Sequence, residues 1–239
     1  MRSLSIIIPA YNEEKNISRL KTELIPEIRK ITSNYEIIIV NDGSKDNTEN
    51  EIIKLKEFDS KIILISYNPN GGMGYALKRG IEKSSKELTV FLDSDLTFHP
   101  SDIFNLLKKF EQDNLDFVIG YPKKIKASLW RIILSRIINN FYFLLLGKKI
   151  KAITPIFRLY KTQQLKELTL ESNGFEINVE ILYKLLAKKR RFEEVPIVLG
   201  KRTFGESKLN YFRESKNHLL LIKKILYWKF IKNGKNNKK

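Results

Sequence analysis

Two aspartates one residue apart, Asp93 and Asp95, close the apolar run "TVFLDSD" over residues 89–95. On extended backbone, positions i and i+2 point the same way, so the two carboxylates repel unless a positive group stands between them. A hard divalent cation removes that repulsion. Mg²⁺ or Mn²⁺ held by one or two carboxylates keeps several waters and completes its shell with substrate phosphates, so the pair points to a diphosphate gripped through a metal. A capping Asp beside a solvated one is the structural alternative, and the pair in isolation does not choose between them.

Other polar clusters follow apolar, β-branched runs in the same way. "PAYNEE" (9–14), "NDGSKDNT" (41–48) and "NPNGGMGYA" (68–76) succeed "LSIIIP" (4–9), "YEIIIV" (35–40) and "KIILIS" (61–66), while the aspartate pair follows "LTVFL" (88–92) and "DFVIG" (116–120) comes next. Helical patterns over about 13–31, 46–58, 73–84 and 101–111 alternate with these runs. Strands apolar on both faces and joined by helices predict a doubly wound α/β sheet, mostly parallel. In such sheets ligands bind beyond the carboxyl ends of the strands, where these clusters lie. "NDGS" is also a good turn and N-cap sequence on local grounds. "NGGMG" follows the third strand rather than the first, which argues against a dinucleotide site.

With 239 residues, 42% of them hydrophobic, the chain can fill a sizeable core. Its formal charge of +17 implies an anionic partner: nucleic acid, a lipid surface or a phosphorylated substrate. The absence of cysteine excludes a disulfide framework, a thiolate metal site and a cysteine nucleophile. No segment has the roughly 20 uninterrupted apolar residues of a bilayer span. In "LWRIILSRIINNFYFLLL" (129–146), a helix would align Arg131, Ser135 and Asn139 in one narrow polar row with Arg136 and Asn140 alongside. Such a helix is either buried or lies in a lipid surface, and on a surface its two arginines offer a lipid phosphate bidentate partners. "HLLLIKKILYWKFIKNGKNNKK" (218–239) reads as a second apolar helix with interleaved lysines and a basic tail, and "AKKRR" (187–191) adds charge for an anionic leaflet. A solvated terminal helix with a disordered end is the alternative.

The order of motifs, "IIIPAYNEEKNI", "IIIVNDGSKDNT", "GGMGYAL" and "FLDSDLTFHP", resembles family 2 inverting glycosyltransferases of the GT-A fold, and more closely dolichol-phosphate mannose synthases and related polyprenyl-phosphate glycosyltransferases. The resemblance continues through "SRIIN" (135–139), "FRLYK" (157–161), "GFEINVEILYKLL" (174–186), "EEVPI" (193–197) and "GESKL" (205–209). It implies a Rossmann-like GT-A domain over residues 1–210, including an interface helix at 126–146, followed by an amphipathic helix and basic tail at 211–239. Carried over by position, Pro9, Ala10, Tyr11 and Glu13 line the nucleotide pocket, and Asp42 contacts base or ribose. Asp93 touches the nucleotide or the metal, Asp95 is the main ligand of Mg²⁺ or Mn²⁺, and Arg202, Ser207 and Lys208 close over the diphosphate.

The activity implied is transfer of a hexose, mannose or glucose, from a GDP- or UDP-sugar to a dolichyl or polyprenyl phosphate, with the enzyme peripheral on the cytoplasmic face of a membrane. A membrane-anchored partner protein is compatible with that reading, and no nucleic-acid signature is present. The chain departs from the resemblance in three places: Thr97 stands where relatives carry Gln, "AITPIFR" (152–158) replaces Asp-x-Thr-Ser-Gly-Phe-Arg, and "IGYPKK" (119–124) offers Lys123 and Lys124 in place of an Arg. A transferase acting on a sugar hydroxyl is the alternative enzyme; it needs a general base, for which Glu176 and Glu180 share a helical face. A non-catalytic basic binding protein on the same fold is the alternative outside enzymes.

Overall fold

The computed structural model describes residues 2–123, 141–151, 153–200, 202–205 and 211–236. Arg131, Arg136, Ser207 and Lys208, together with Lys124 and Ala152, lie outside them.

Strands β1 (Leu4–Ala10), β2 (Tyr35–Asp42), β3 (Ile62–Tyr67), β4 (Leu88–Phe91), β5 (Phe117–Pro122), β6 (Arg158–Lys161) and β7 (Phe192–Ile197) form one seven-stranded sheet in the order β3-β2-β1-β4-β6-β5-β7. β1 pairs in parallel with β2 and β4, β2 with β3, and β5 with β7; β6 alone runs antiparallel, between β4 and β5. This is the Rossmann-like arrangement of the GT-A fold. β2 is buried along its whole length and β1 nearly so, as both-face apolar strands require. An aromatic row crosses the far half of the sheet: Phe91 to Tyr160 at 5.1 Å, Tyr160 to Phe117 at 6.0 Å and Phe117 to Phe192 at 5.0 Å between ring centroids. Such cross-strand contacts hold the reversed strand in register.

The helices are α1 (Glu14–Ile17), α2 (Ile25–Ile31), α3 (Thr48–Phe58), α4 (Met73–Lys83), α5 (Asp102–Gln112), α6 (helical residues 141–146), α7 (Thr162–Lys166), α8 (Ile177–Ala187) and α9 (Tyr211–Asn236). The single helix expected over 13–31 is divided: a π-wound turn, Leu20–Leu24, separates α1 from α2. Pro26 explains the division, because it has no N–H for the carbonyl four residues back and its ring crowds that carbonyl.

At the carboxyl-terminal side of the chain, α9 packs one face inward. Leu221 and Ile225 are buried, Trp228 stacks on Tyr183 of α8 at 5.6 Å, and the Lys184 ammonium sits 4.4 Å over the Trp228 ring. The Tyr142 hydroxyl of α6 meets His218 Nδ1 at 2.5 Å. Of the long apolar helix expected at 129–146, the described part buries Tyr142 and Leu145 and exposes Phe141, Phe143 and Leu144. Among the described residues no helix is long and apolar enough to cross a membrane.

Candidate active site

The parallel strands β1, β2 and β4 end at one edge of the sheet, and the loops leaving them interlock. Asn12 takes a left-handed conformation that asparagine tolerates (φ 53°); its N–H donates to Ser44 Oγ at 2.9 Å and its Oδ1 accepts the Lys45 N–H at 2.7 Å. The Glu13 N–H donates to Thr48 Oγ1 at 2.8 Å. These bonds fix the first turn after β1 to the "NDGS" turn after β2, and so fix where the Glu13 side chain points.

Asp42 has a different task from contact with a ligand alone. Its carboxylate accepts the Gly71 N–H at 2.6 Å, the Gly72 N–H at 3.0 Å and Asn70 Nδ2 at 2.8 Å. Burial pushes its pKa up against those donors. Asp42 therefore shapes the Asn70–Gly72 loop, and both it and that loop line the cavity described below. Gly43 allows the approach: its φ is +68°, and a Cβ there would stand 2.7 Å from the Asn70 nitrogen.

After β4, the Leu92 N–H extends the ladder to the Ile7 carbonyl at 3.0 Å, and the chain turns at once. Asp95 Oδ1 accepts the Thr97 N–H at 2.9 Å. Leu96 between them has a positive φ of 53°, a strained choice for leucine, held by burial of its side chain. Arg19 supports this turn from outside: its guanidinium donates to the Asp95 carbonyl at 3.1 Å while Glu23 accepts from it at 2.8 and 2.9 Å.

Arg202 brings the pieces together. Its Nη2 lies 2.8 Å from Glu13 Oε1, its Nη1 lies 3.3 Å from Asp95 Oδ2, and its Nε donates to the Phe204 carbonyl at 2.9 Å. The Gly200 N–H donates to the Thr97 carbonyl at 2.8 Å, tying the Arg202 loop to the aspartate turn. Three carboxylates, Glu13, Asp93 and Asp95, thus face one guanidinium. Desolvation, then the charge of Asp95, pushes Asp93 up to about 7 against the pull of Arg202, with Glu13 adding to the rise. The excess negative charge and the all-oxygen donor set fit a hard divalent cation. Among the described residues no three acidic or histidine side chains form a cage for one, so Asp93 and Asp95 would hold it with ligand oxygens completing the shell.

These groups surround a cavity of about 450 Å³, with Pro9, Ala10, Tyr11, Asp42, Thr97 and Arg202 in its lining. Every described residue expected on the donor side is therefore gathered at one place. Two residues that sequence reasoning did not single out complete the wall, Phe175 and Arg213, from the loop before α8 and the first turn of α9. Phe175 lies within the "GFEINVEILYKLL" motif without being distinguished there, and no motif marks Arg213, because α9 reaches the cavity only through tertiary packing. Arg19 was also missed, as was Asn16, whose Nδ2 donates to Glu13 Oε2 at 2.5 Å; at the end of the first motif and just past it they read as ordinary helix polar positions.

Neither candidate base lines the cavity. Glu180 is fully buried and accepts the backbone N–H groups of Glu171 (3.0 Å) and Ser172 (2.8 Å) beside the Lys184 ammonium at 2.6 Å. Burial alone would raise its pKa, but Lys184 and these donors outweigh it and hold the carboxyl below the usual range. Glu176 caps the loop before α8, accepting the Gly174 N–H at 3.1 Å. Arg158 is buried too, donating to the Asn178 carbonyl at 2.7 Å, and so serves the core.

A family model described as glycosyl transferase family 2 matches residues 5–169. Among curated relatives, the undecaprenyl-phosphate 4-deoxy-4-formamido-L-arabinose transferases of Photorhabdus laumondii and Salmonella choleraesuis are each 29% identical over 214 residues. The alignments cover 89% of this chain but only 65% and 64% of those proteins. Among solved structures, glucosyl-3-phosphoglycerate synthase from Mycobacterium tuberculosis in complex with UDP superposes with a TM-score of 0.70 at 19% identity, covering 95% of this chain and 79% of that one. The same protein with Mn²⁺ and UDP-glucose gives 0.70 at 17% identity, covering 92% and 77%.

Proposed function

Because the chain belongs to glycosyl transferase family 2, we propose that it moves a hexose, such as mannose or glucose, from a GDP- or UDP-sugar to a polyprenyl phosphate at a membrane surface. The observation that carries this reading is the convergence of Asp93, Asp95, Glu13 and Arg202 on one cavity at the strand ends. In the reaction, an oxygen of the acceptor phosphate attacks the anomeric carbon from the side opposite the leaving group. The bond from that carbon to the donor diphosphate breaks, and its electron pair departs with the nucleoside diphosphate.

Charge growing on the diphosphate is the main barrier. Asp93 and Asp95 would hold a Mg²⁺ or Mn²⁺, which when bound would supply Lewis-acid stabilisation of that charge, and Arg202 would pair with the phosphates. Arg131, Arg136, Ser207 and Lys208 belong to the same proposal through the resemblance, as does the division into a transferase domain (1–210) and an appended helix and tail (211–239).

The position of the acids favours a phosphate acceptor over a sugar hydroxyl. Among the described residues, the carboxylates lining the cavity are Glu13, Asp42, Asp93 and Asp95, all on the strand-end side, while Phe175 and Arg213 supply the α8–α9 side without one. A lipid monophosphate, whose second pKa is about 6, arrives largely deprotonated and needs no base. The surface reading rests on α9, whose outward stripe exposes Leu219, Leu220, Leu226, Tyr227 and Phe230 with Lys216 and Lys223 among them, on a chain of charge +17. That surface would be the cytoplasmic face, where nucleotide sugars are met. The test is incubation with Mn²⁺ or Mg²⁺, farnesyl phosphate and a panel of labelled nucleotide sugars. Metal-dependent passage of label into the organic phase is expected; label appearing only on water-soluble glycans, or nowhere with any donor, would refute the reading.

A further inference from the structure

We infer that Arg213, on the first turn of α9, receives the acceptor's phosphate on the cavity wall that the sheet does not build; the inference rests on the lipid-phosphate reading above. The donor side of the cavity comes from the ends of β1, β2 and β4, and Arg202 there is engaged with Glu13 and Asp95. An in-line displacement needs the incoming phosphate on the far side of the sugar. Among the described residues, Phe175 and Arg213 line the cavity on its α8–α9 side.

The position of Arg213 is built rather than incidental. Its neighbour Glu214 is buried, and Glu214 Oε2 accepts the Phe175 N–H at 3.2 Å, which locks the first turn of α9 to the loop lining the cavity. Arg213 Nε lies 3.5 Å from Glu214 Oε1, and the side chain remains 59% exposed. A guanidinium so placed has the wrong sign for the metal and the right fork for a phosphate.

The same helix explains why that phosphate would carry a lipid. Leu220 and Tyr227, seven and fourteen residues after Arg213, fall on the same flank of α9 and open the exposed apolar stripe. A chain lying along that stripe in a lipid surface brings its headgroup to Arg213. One rigid element thus meets the lipid and lines the site.

The test uses the full chain and its R213Q and R213K variants, with Mn²⁺, the labelled donor that the wild type uses, and farnesyl phosphate in detergent. The KM for each substrate is measured separately, and calorimetry gives the Kd of the matching nucleoside diphosphate with Mn²⁺. R213Q is expected to raise the acceptor KM by about 10- to 100-fold, the size of a lost charge-assisted pair, while the nucleoside diphosphate Kd moves by less than about twofold. R213K should recover part of the loss, as a point charge without the fork. An acceptor KM within about twofold of wild type in R213Q would overturn the assignment and leave the proposed reaction standing. An equal rise in the nucleoside diphosphate Kd would overturn it by making Arg213 a donor-side residue. A wild type that transfers label to no lipid phosphate would overturn both.

Discussion

Replacing Gly74 by alanine sets helix propensity against close packing at the edge of the site. Gly74 lies in the first turn of α4, where propensity alone favours alanine by up to about 1 kcal/mol. A Cβ there would lie 2.7 Å from the Asn173 carbonyl carbon and 2.8 Å from the carbonyl oxygens of both Gly174 and Ser172. All three are backbone atoms, so no side chain can swing aside. The Asn173 carbonyl also accepts the Gly74 N–H at 2.7 Å and the Tyr75 N–H at 3.2 Å. Relief requires segment 172–174 to retreat, at an overpacking cost of about 1–3 kcal/mol plus about 1 kcal/mol for each weakened hydrogen bond. With the propensity gain subtracted, Gly74→Ala should lose about 2–4 kcal/mol, a fall in Tm of roughly 4–16 °C for a chain of this size. Urea denaturation followed by circular dichroism measures the first and a thermal melt the second. Because Phe175 follows that segment directly, the acceptor KM should rise as well. A variant more stable than wild type by about 0.5–1 kcal/mol would show that propensity wins and that the 172–174 loop is not held as described.

Asp95→Asn keeps the size of the side chain but removes its charge toward metal and Arg202; transfer should fall by about 100-fold or more while the thermal melt stays near wild type, and retained turnover would show that Asp95 is not a metal ligand. Glu180→Gln places an amide against backbone N–H donors in a fully buried site, so stability should drop by about 2–4 kcal/mol with turnover per folded molecule changed only a few-fold. Full stability with turnover lost would instead restore Glu180 as a base. Asp59, 4% exposed, is desolvated, yet the Tyr35 hydroxyl, the Lys61 N–H and Arg29 hold its pKa below the ordinary value. A depressed carboxylate contributes stability above its unfolded pKa of about 3.9 and loses it as pH falls toward the folded value. Urea midpoints from pH 6 downward should therefore decline less steeply in Asp59→Asn than in wild type; parallel curves would refute the linkage.

The gathering of the residues expected on the donor side was legible because it obeys a local rule: each cluster follows its own apolar strand, and parallel pairing brings the strand ends to one edge. The role of Asp42 was legible only in part. Its place in the cavity followed from the motif, but its bonds to Gly71 and Gly72 depend on how the third loop folds back. Glu176 and Glu180 illustrate the converse. Four-residue spacing put them on one helical face, yet the sequence holds no record of which backbone donors that face meets, and the donors of residues 171–174 claim both carboxylates. Arg213 was hidden for the same reason, since nothing local distinguishes an arginine that α9 carries to the cavity from its basic neighbours. The broken helix at residues 14–31 was foreseeable from Pro26, which a purely periodic reading overrides.

The aspartate pair poses a question of charge, and the structure answers it with a cation that is itself mobile in principle: a guanidinium on a side chain, rather than a fixed backbone dipole. Arg202 offers one positive charge to three carboxylates, and burial, then the charge of Asp95, raises the pKa of Asp93 against its pull. A divalent ion would cancel the remaining negative charge, and the diphosphate it brings would in turn offer Arg202 a bidentate partner stronger than either carboxylate it now touches. On binding, Arg202 would trade a carboxylate partner for a phosphate. Arg202 can serve both ends of that exchange because Gly200 ties its loop to the turn carrying Asp95. A lysine in its place would keep the charge but lose the fork that spans Glu13 and Asp95 together. The spacing of Glu13 from Asp95 across that fork therefore matters to the site as much as the spacing of Asp93 from Asp95 along the chain.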